Sequence, residues 1–345
     1  MNIYLFKTYF NFISGVRVSL KDYFEEFTLL IDEKISKLVP SGFPNLYDGM
    51  EYAISSGGKR LRPVLCLLTC KALGGSVNEV LPVAVAIEIV HNATLVHDDI
   101  EDGDEIRRGK PSVWKRYGTP HATNIGDAMI FKSYEILVGS DLPVDKKADI
   151  ISKFTQVLIE LTEGQNMEFN FRERDDVKID EYLEMARKKA GILIGFSFAA
   201  GASVANASEQ MQFVLYELGS DIGLAFMIRD DVLNLVGEQD KYGKEIGGDV
   251  KEGKRTLMVI DCLSKCDDEE MKEILGILKK DRGSVSGDEV KFVIETMKKY
   301  GSISFAQKYS EQLVKNVREK IDKIGNDKLR EMLEEFSDFM VKREK

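Results

Sequence analysis

The sequence lacks proline over more than half of its length. All seven prolines lie at or before Pro143, in a chain of 345 residues. Proline breaks helices and is common in turns and linkers. Its absence therefore disfavours turn-rich and multi-linker architectures and favours helices joined by short loops. No segment shows the alternation of β-branched residues that is typical of a strand.

Positive charge is also scarce, because 48 Lys and Arg residues face 58 Asp and Glu residues, a formal net charge of −10. A sequence-independent nucleic-acid binder needs a basic surface, so that class is excluded. An anionic small-molecule substrate is not excluded, because local clusters of positive charge can oppose the total.

Cysteine is limited to four residues, which form two C-x3-C pairs: Cys66 and Cys70, then Cys262 and Cys266. A zinc site favours a shorter spacing. Here the spacing places each pair on one face of an apolar helical segment, so we expect reduced, packed cysteines. Such cysteines are typical of a cytoplasmic protein.

Residues 1–19 are rich in Tyr and Phe but contain no uninterrupted apolar core and no cleavage site, so a signal peptide is not expected. We interpret them as an N-terminal extension of uncertain role, for which a weak contact with a membrane surface stays open. No stretch has the roughly 20 consecutive apolar residues of a transmembrane span.

Apolar residues recur at helical spacing through residues 20–345, which predicts one large all-α domain. The clearest predicted helices are Leu20–Val39, Asn78–Asp102, Thr119–Val138, Asp149–Arg172, Ile179–Val204 and Ser208–Val236.

Two acidic motifs end apolar helices. Asp98 and Asp102 lie four residues apart, so both carboxylates project from one face, one turn apart. Asp230 and Asp231 begin the second motif, which ends at Asn234. Carboxylates in such pairs suit Mg²⁺ that shares its ligand shell with substrate phosphates. If the two helix ends face each other, they line a cavity with carboxylates.

Basic residues accompany the first motif. Lys59 and Arg62 lie three apart at a predicted helix start, where side chains and free backbone N–H groups can bind phosphate. His91 lies two helical turns before Asp98, on the same face. Arg107 and Arg108 follow the motif, and arginine can bind phosphate through two parallel hydrogen bonds.

Taken together, these motifs resemble those of the trans-isoprenyl diphosphate synthases, also called polyprenyl synthetases. The similarity extends from about Leu20 to the C-terminus. It rests on the segments Gly57–Pro63, Leu95–Asp102, Arg107–Gly109, Gly164–Gln165 and Asp230–Asp231.

The resemblance implies an all-helical bundle around a deep central cavity, the isoprenoid synthase fold, usually as a homodimer. It implies three Mg²⁺ ions, two held by Asp98 and Asp102 and a third by Asp230. The substrates implied are isopentenyl diphosphate and an allylic diphosphate. By the same resemblance, Lys59, Arg62, His91 and Arg108 bind the former, Arg107 binds the latter, and Lys189, Lys244 and Lys254 neutralise its leaving group.

The resemblance also addresses product length. In this family, the positions four and five residues before the first aspartate help to close the tunnel for the growing chain, and here they are the small Thr94 and Ala93. We therefore expect a product of C20 or longer. Phe131 and Tyr134 are either a lower floor of the tunnel or ordinary core aromatics.

Three positions depart from the family pattern: Met227, Ala190 and Asn234. They put allylic affinity or primer choice in doubt. They also keep open an alternative, a non-catalytic subunit that shapes a partner synthase. A terpene cyclase is disfavoured, because it has no second diphosphate to bind and would not need Lys59, Arg62 and Arg108.

Overall fold

A computed structural model describes residues 20–39, 42–237 and 245–341. The predicted N-terminal extension and the predicted ligand Lys244 lie outside these residues. The described residues form helices and one short hairpin, which confirms the predicted all-α class.

The elements follow one another in a simple order. They are α1 (Leu20–Leu38), α2 (Tyr47–Ser55), α3 (Leu61–Ala72), α4 (Val77–Glu101), β1 (Ile106–Arg107), β2 (Lys110–Pro111), α5 (Val113–Tyr117), α6 (Thr119–Val138), α7 (Val144–Arg172), α8 (Ile179–Ala186), a π-helical turn (Arg187–Gly191), α9 (Ile192–Val204), α10 (Glu209–Val236), α11 (Gly248–Lys251), α12 (Leu257–Leu263), α13 (Asp268–Leu278), a 3-10 turn (Arg282–Ser284), α14 (Gly287–Lys299), α15 (Ser302–Ile321) and α16 (Asp327–Val341).

The sequence did not predict two of these features. The predicted helix Ile179–Val204 is interrupted by the π-helical turn, whose residues carry no pattern that separates them from a regular helix. A two-residue antiparallel hairpin pairs Ile106 with Pro111, too short to show strand alternation. Its turn, Arg108–Gly109, has positive φ at both residues, the geometry that matches the twist of paired strands.

The residues group into two compact units. The first contains the described residues up to Ile151, Ser197–Gln212 and the residues from Ile324 onward, and the second contains Ser152–Phe196 and Phe213–Lys323. A single domain over residues 20–345 stays a prediction.

In the first unit, α4 is the central helix and packs against α3 and α6. Its side chains are buried around nearly its whole circumference, as shown by Val83, Ile87 and Val90. A Cβ atom added to Gly126 of α6 would lie 2.2 Å from Nε2 of His97, so glycine is what lets α6 approach the end of α4. Tight packing on all sides fixes where α4 ends and therefore where the first acidic motif lies.

The second unit has its own apolar core. Leu224, Ile228 and Val232 of α10 pack in one cluster with buried residues of α12 and α14, including Leu257 and Val293. These three α10 residues lie on one face at helical spacing. The core therefore holds the helix that carries the second acidic motif.

Two helices, Val77–Glu101 and Glu209–Val236, are long and apolar enough to cross a membrane by length and composition. Neither helix contains an uninterrupted run of about 20 apolar residues, which is the feature that the sequence analysis addressed. In the first of them, 72% of the apolar window is buried inside the protein, as expected of a core helix. The absence of a transmembrane segment stays a prediction.

All four cysteines are free thiols, and Cys66, Cys70 and Cys262 are buried. Burial raises the pKa of Cys70 to about 11 and that of Cys262 to about 12, which keeps both thiols protonated and unreactive at neutral pH. The predicted packing is confirmed for Cys66, Cys70 and Cys262, whereas Cys266 is half-buried. The reduced state stays a prediction.

Candidate active site

The first acidic motif occupies the last turn of α4. The backbone N–H of Asp102 donates to the carbonyl oxygen of Asp98 at 2.8 Å, which places the two carboxylates one helical turn apart, as predicted. The side chain of Asp98 is 22% exposed, and Asp102 is 7% exposed. Their hard oxygen donors suit Mg²⁺, which usually takes its remaining ligands from water and substrate phosphates.

Between these two residues lies Asp99, which the sequence did not single out. It is buried, and burial raises the pKa of its carboxyl to about 6, although the guanidinium of Arg107 opposes that shift. Nε of Arg107 donates to Oδ1 of Asp99 at 2.7 Å, and Nη2 contacts the same oxygen. Nη2 also lies 3.5 Å from Asp104 and 3.8 Å from Asp98. Arg107 is therefore held in place by the acidic motif itself.

A basic cluster lies farther back along α4. Nη1 of Arg62 and Nε2 of His91 are 3.1 Å apart. Burial, together with the charges of Arg62 and Arg108, lowers the pKa of His91 well below its usual range, so the ring is neutral and its Nε2 accepts from Arg62. Nη1 of Arg108 donates to the carbonyl oxygen of Gly57 and lies 3.3 Å from Oδ1 of Asn92. Thus three of the four residues predicted for one diphosphate site are gathered in one place.

The fourth residue, Lys59, is exposed on the loop before α3. Its neighbour Arg60 anchors that loop, because it is buried in a left-handed conformation (φ 48°) and forms ion pairs with Glu88 at 3.0 Å and Asp32 at 2.8 Å. Gly58 has φ +130°, and a Cβ atom there would lie 2.9 Å from the guanidinium carbon of Arg108. The loop therefore turns one arginine into the core and presents the adjacent lysine to solvent.

The two residues linked to product length lie on the same helix. Ala93 is fully buried and Thr94 is half-buried, with its hydroxyl donating to the carbonyl oxygen of His91 at 2.8 Å. Phe131 is 71% exposed, so it is not an ordinary core aromatic. Tyr134 is half-buried.

The second acidic motif lies near the end of α10. Asp230 is exposed, whereas Asp231 accepts a hydrogen bond of 2.7 Å from the hydroxyl of the buried Tyr182. Burial and the nearby carboxylate of Asp249 raise the pKa of Asp231 well above its usual range. Asp230 is therefore the more exposed carboxylate of this motif.

Asn234 closes the motif in a role that an aspartate could not fill completely. Its Oδ1 accepts from the backbone N–H of Asp249 at 3.1 Å, and its Nδ2 lies 3.4 Å from the carbonyl oxygen of Glu245. A carboxylate could accept the first of these hydrogen bonds but could not donate the second. Asn234 is thus linked by its side chain to the segment that contains Glu245 and Asp249. This role was not predicted from the sequence.

Two of the remaining predicted lysines, Lys189 and Lys254, are held by carboxylates. Nζ of Lys189 pairs with the buried Glu168, and Nζ of Lys254 lies 2.6 Å from Glu252 and 3.6 Å from Asp249. Gly164, already part of the sequence pattern, lets α7 approach, because a Cβ atom there would lie 2.7 Å from the backbone nitrogen of Lys189.

The other two departures from the family pattern, Met227 and Ala190, lie in the second unit, as Asn234 does. Met227 is half-buried and packs against its core cluster. Ala190 is contacted through its backbone, because a Cβ atom on Gly223 would lie 2.7 Å from the carbonyl oxygen of Ala190.

Among the residues that the structure describes, no group of three or more His, Cys, Asp or Glu side chains is placed to hold a metal ion. Asp98 and Asp102 are the two carboxylates predicted as ligands in the first motif, and Asp230 is the one predicted in the second. Their chemistry fits Mg²⁺ only in the way that this ion binds with a phosphate-bearing substrate, through one or two carboxylates per ion.

Comparison with known proteins agrees with these features. A family model described as polyprenyl synthetase matches residues 43–297. A geranylgeranyl pyrophosphate synthase from Geoglobus acetivorans is 37% identical over 317 residues, which cover 91% of this chain and 96% of that protein. A short chain isoprenyl diphosphate synthase from Methanocaldococcus jannaschii is 38% identical over 314 residues, which cover 91% and 93%. The crystal structure of a geranylgeranyl pyrophosphate synthetase from Pyrococcus horikoshii matches with a TM-score of 0.86 and 36% identity over 94% of this chain and 99% of that chain.

Proposed function

The chain belongs to the polyprenyl synthetase family, and we propose that it condenses isopentenyl diphosphate with an allylic diphosphate to give an all-trans prenyl diphosphate of C20 or longer. One observation carries this proposal. Helix α4, the start of α3 and the hairpin after α4 carry two different sets of groups. The carboxylates Asp98 and Asp102 would bind a diphosphate through Mg²⁺, and the basic cluster around Arg62 and Arg108 would bind one directly. An enzyme that joins two diphosphates needs both sets.

The basic cluster binds isopentenyl diphosphate. Arg62 and Arg108 supply planar guanidinium groups, and Lys59 adds an exposed ammonium group. Neutral His91 accepts from Arg62 and so orients it, while the carbonyl of Gly57 and the amide of Asn92 orient Arg108. Isopentenyl diphosphate is thereby held so that its double bond can attack the allylic carbon.

The allylic substrate is bound by the acidic motifs and the lysines. Asp98, Asp102 and Asp230 would hold three Mg²⁺ ions, the number implied by the resemblance, and these ions would supply positive charge to the leaving diphosphate. Arg107, Lys189, Lys254 and Lys244 add further charge, although Lys244 lies outside the described residues. Catalysis then depends on positioning and electrostatic stabilisation rather than on a nucleophilic side chain.

In the reaction, the bond between allylic carbon 1 and the diphosphate oxygen breaks and leaves an allylic cation. The double bond of isopentenyl diphosphate attacks carbon 1, which forms the new carbon–carbon bond. The resulting cation loses a proton, and the released diphosphate accepts it. This sequence of steps needs no general base from the protein, because the released diphosphate accepts the proton.

The product length depends on Ala93. A side chain five residues before Asp98 lies about 7.5 Å farther back along the helix, at 1.5 Å per residue. We expect Ala93→Phe to shorten the product by at least one C5 unit, measured by chromatography of the hydrolysed products. Ala93 is fully buried, so circular dichroism should confirm that the variant folds. A folded variant with an unchanged product profile would reject this role.

A homodimer in the cytoplasm is part of the proposal. On α6, Phe131 is 71% exposed and Val138 is 60% exposed, and Phe131 borders a pocket of about 420 Å³ with Phe43 and Leu46. Exposed apolar patches are typical of protein interfaces. Light scattering of the purified chain tests the dimer, and Phe131→Glu should shift it toward the monomer.

Radiolabelled isopentenyl diphosphate, supplied with C5, C10, C15 or C20 allylic diphosphates and Mg²⁺, tests the activity. We expect the purified chain alone to elongate at least one of these primers. The alternative, a non-catalytic subunit, predicts no turnover unless a partner is added. No turnover with any primer would reject the proposed function.

A further inference from the structure

The π-helical turn Arg187–Gly191 interrupts an otherwise regular helix at the position of Lys189. A π-helical turn contains one more residue than an α-helical turn, and such turns occur frequently at functional sites. The extra residue changes the direction in which each following side chain points. What holds this turn therefore determines where Lys189 is placed.

Three consecutive cationic residues in the turn have different partners. Arg187 pairs with Asp221 at 2.6 Å and Glu217 at 2.7 Å, both on α10. Lys188 pairs with Glu163 of α7 at 2.8 Å. Lys189 pairs with the buried Glu168, also on α7.

Lys188 thus pairs with an exposed carboxylate, and Lys189 pairs with a buried one. The side chain of Glu163 is 52% exposed, and that of Glu168 is 5% exposed. In a regular helix, the rotation of the helix about its axis determines which of two adjacent lysines faces a given carboxylate. A small rotation or shift in register would move Lys189 away from Glu168.

Glycines bring the turn close to both neighbouring helices. On the α7 side, a Cβ atom on Gly164 would lie 2.7 Å from Cβ of Lys188. On the α10 side, a Cβ atom on Gly191 would lie 2.6 Å from the carbonyl oxygen of Ser220, and one on Gly223 would lie 2.5 Å from Cα of Gly191. This packing limits the separation of the helices but does not by itself fix the rotation of the turn.

Arg187 supplies the missing constraint. Glu217 and Asp221 lie four residues apart on one face of α10, so a single planar guanidinium can bind both carboxylates at once. Asp221 is itself held from the other side by Lys320 of α15. The guanidinium is therefore attached to two side chains on a packed helix.

We propose that Arg187 is a positioning residue whose two salt bridges to α10 fix the rotation of the π-helical turn, so that Lys189 rather than Lys188 serves the allylic diphosphate. This inference rests on the proposed function. It assigns no contact between Arg187 and substrate.

Steady-state kinetics of Arg187→Ala, Arg187→Lys and the matched control Lys188→Ala test the inference. For Arg187→Ala we expect kcat/KM for the allylic diphosphate to fall by about ten- to a hundredfold, since small misplacements of a binding group have effects of that size. KM for isopentenyl diphosphate should stay within about twofold of the wild-type value, because a different unit of the chain binds it. Arg187→Lys should recover part of the loss, since an ammonium group cannot bind both carboxylates in the planar geometry. Lys188→Ala should resemble the wild type.

Glu217→Gln removes the charge of one carboxylate that binds Arg187 and is a milder change than Arg187→Ala. It provides the test if Arg187→Ala does not fold. It should lower allylic kcat/KM in the same direction, by about two- to tenfold. Wild-type allylic kinetics in a folded Arg187→Ala or Glu217→Gln protein would overturn the inference, as would equal losses for both substrates. An inactive wild-type chain would instead reject the proposed function.

Discussion

Each of the two acidic motifs begins with two adjacent aspartates, but the second aspartate of the pair has a different partner in each motif. In the first motif, Asp99 is buried against the guanidinium of Arg107. In the second, Asp231 is paired with the neutral hydroxyl of Tyr182, and burial raises its pKa well above the usual range. Asp99 is thus paired with a guanidinium, whereas the hydrogen-bond partner of Asp231 is a neutral hydroxyl and the charge of Lys254 acts on it more weakly.

The last positions of the motifs differ as well. Asp102 keeps a carboxylate, whereas Asn234 forms hydrogen bonds on both sides with the chain around Glu245 and Asp249. In the proposed function, Asp98 and Asp102 of the first motif and Asp230 of the second are the metal ligands. The comparison shows that similar sequence patterns divide their residues between ligands and anchors in different ways.

The largest effect should follow removal of a metal ligand. We expect Asp98→Asn to lower kcat by about 10³-fold and Asp230→Asn by about 10²-fold, the range seen when electrostatic stabilisation of a transition state is removed. Asp98 would share two of the three Mg²⁺ ions with Asp102, whereas Asp230 would hold one, so the loss of Asp98 should remove more of the positive charge that stabilises the leaving diphosphate. Steady-state turnover of labelled isopentenyl diphosphate measures both.

Glu101→Gln is the matched control, because it removes an exposed acid from the same helical turn without touching an assigned ligand. Its kcat should stay close to that of the wild type. The comparison of motifs fails if Asp230→Asn is the more damaging change, and the ligand assignment fails if Asp98→Asn costs less than Glu101→Gln.

An effect of intermediate size, on the free energy of unfolding, is expected for substitutions of Asp99 and Tyr182. Asp99→Asn leaves the largely buried Arg107 without its main counter-charge, and we expect a loss of about 3 kcal/mol in the free energy of unfolding. Tyr182→Phe removes one hydrogen bond and should cost about 1 kcal/mol. Chemical denaturation followed by circular dichroism measures both. Equal losses would show that the charge of the partner makes no difference.

The smallest effect is expected for Asn234→Asp. The new carboxylate cannot donate to the carbonyl oxygen of Glu245, so the free energy of unfolding should fall by about 0.5–1 kcal/mol. The turnover should change little, because Asp230 remains the ligand. A large gain in kcat would show instead that the chain lacks a metal ligand at residue 234.

Local spacing was sufficient to predict the helices and the Asp98–Asp102 pair, whereas the grouping of Arg62 with His91 followed from the resemblance to the family. The helices and the aspartate pair depend on helical periodicity, which the sequence displays directly. Membership of the family, predicted from the joint motifs, is also confirmed.

The side-chain pairs that join distant parts of the chain could not be predicted in the same way. The pairs of Arg60 with Glu88 and of Tyr182 with Asp231 join residues that are 28 and 49 positions apart. No local pattern links such residues, because their contact depends on how helices pack. The π-helical turn has the same origin, since the three glycines that allow it lie on three different segments of the chain.

The central claim, a Mg²⁺-assisted condensation carried out by this chain alone, is tested most directly by a metal titration. Purified protein is treated with EDTA, and the incorporation of labelled isopentenyl diphosphate into prenyl product is measured as Mg²⁺ is restored. We expect no product in EDTA, full recovery with Mg²⁺ in the wild type, and no recovery in Asp98→Asn. Product formation that persists in EDTA, or that returns equally in Asp98→Asn, would contradict the account.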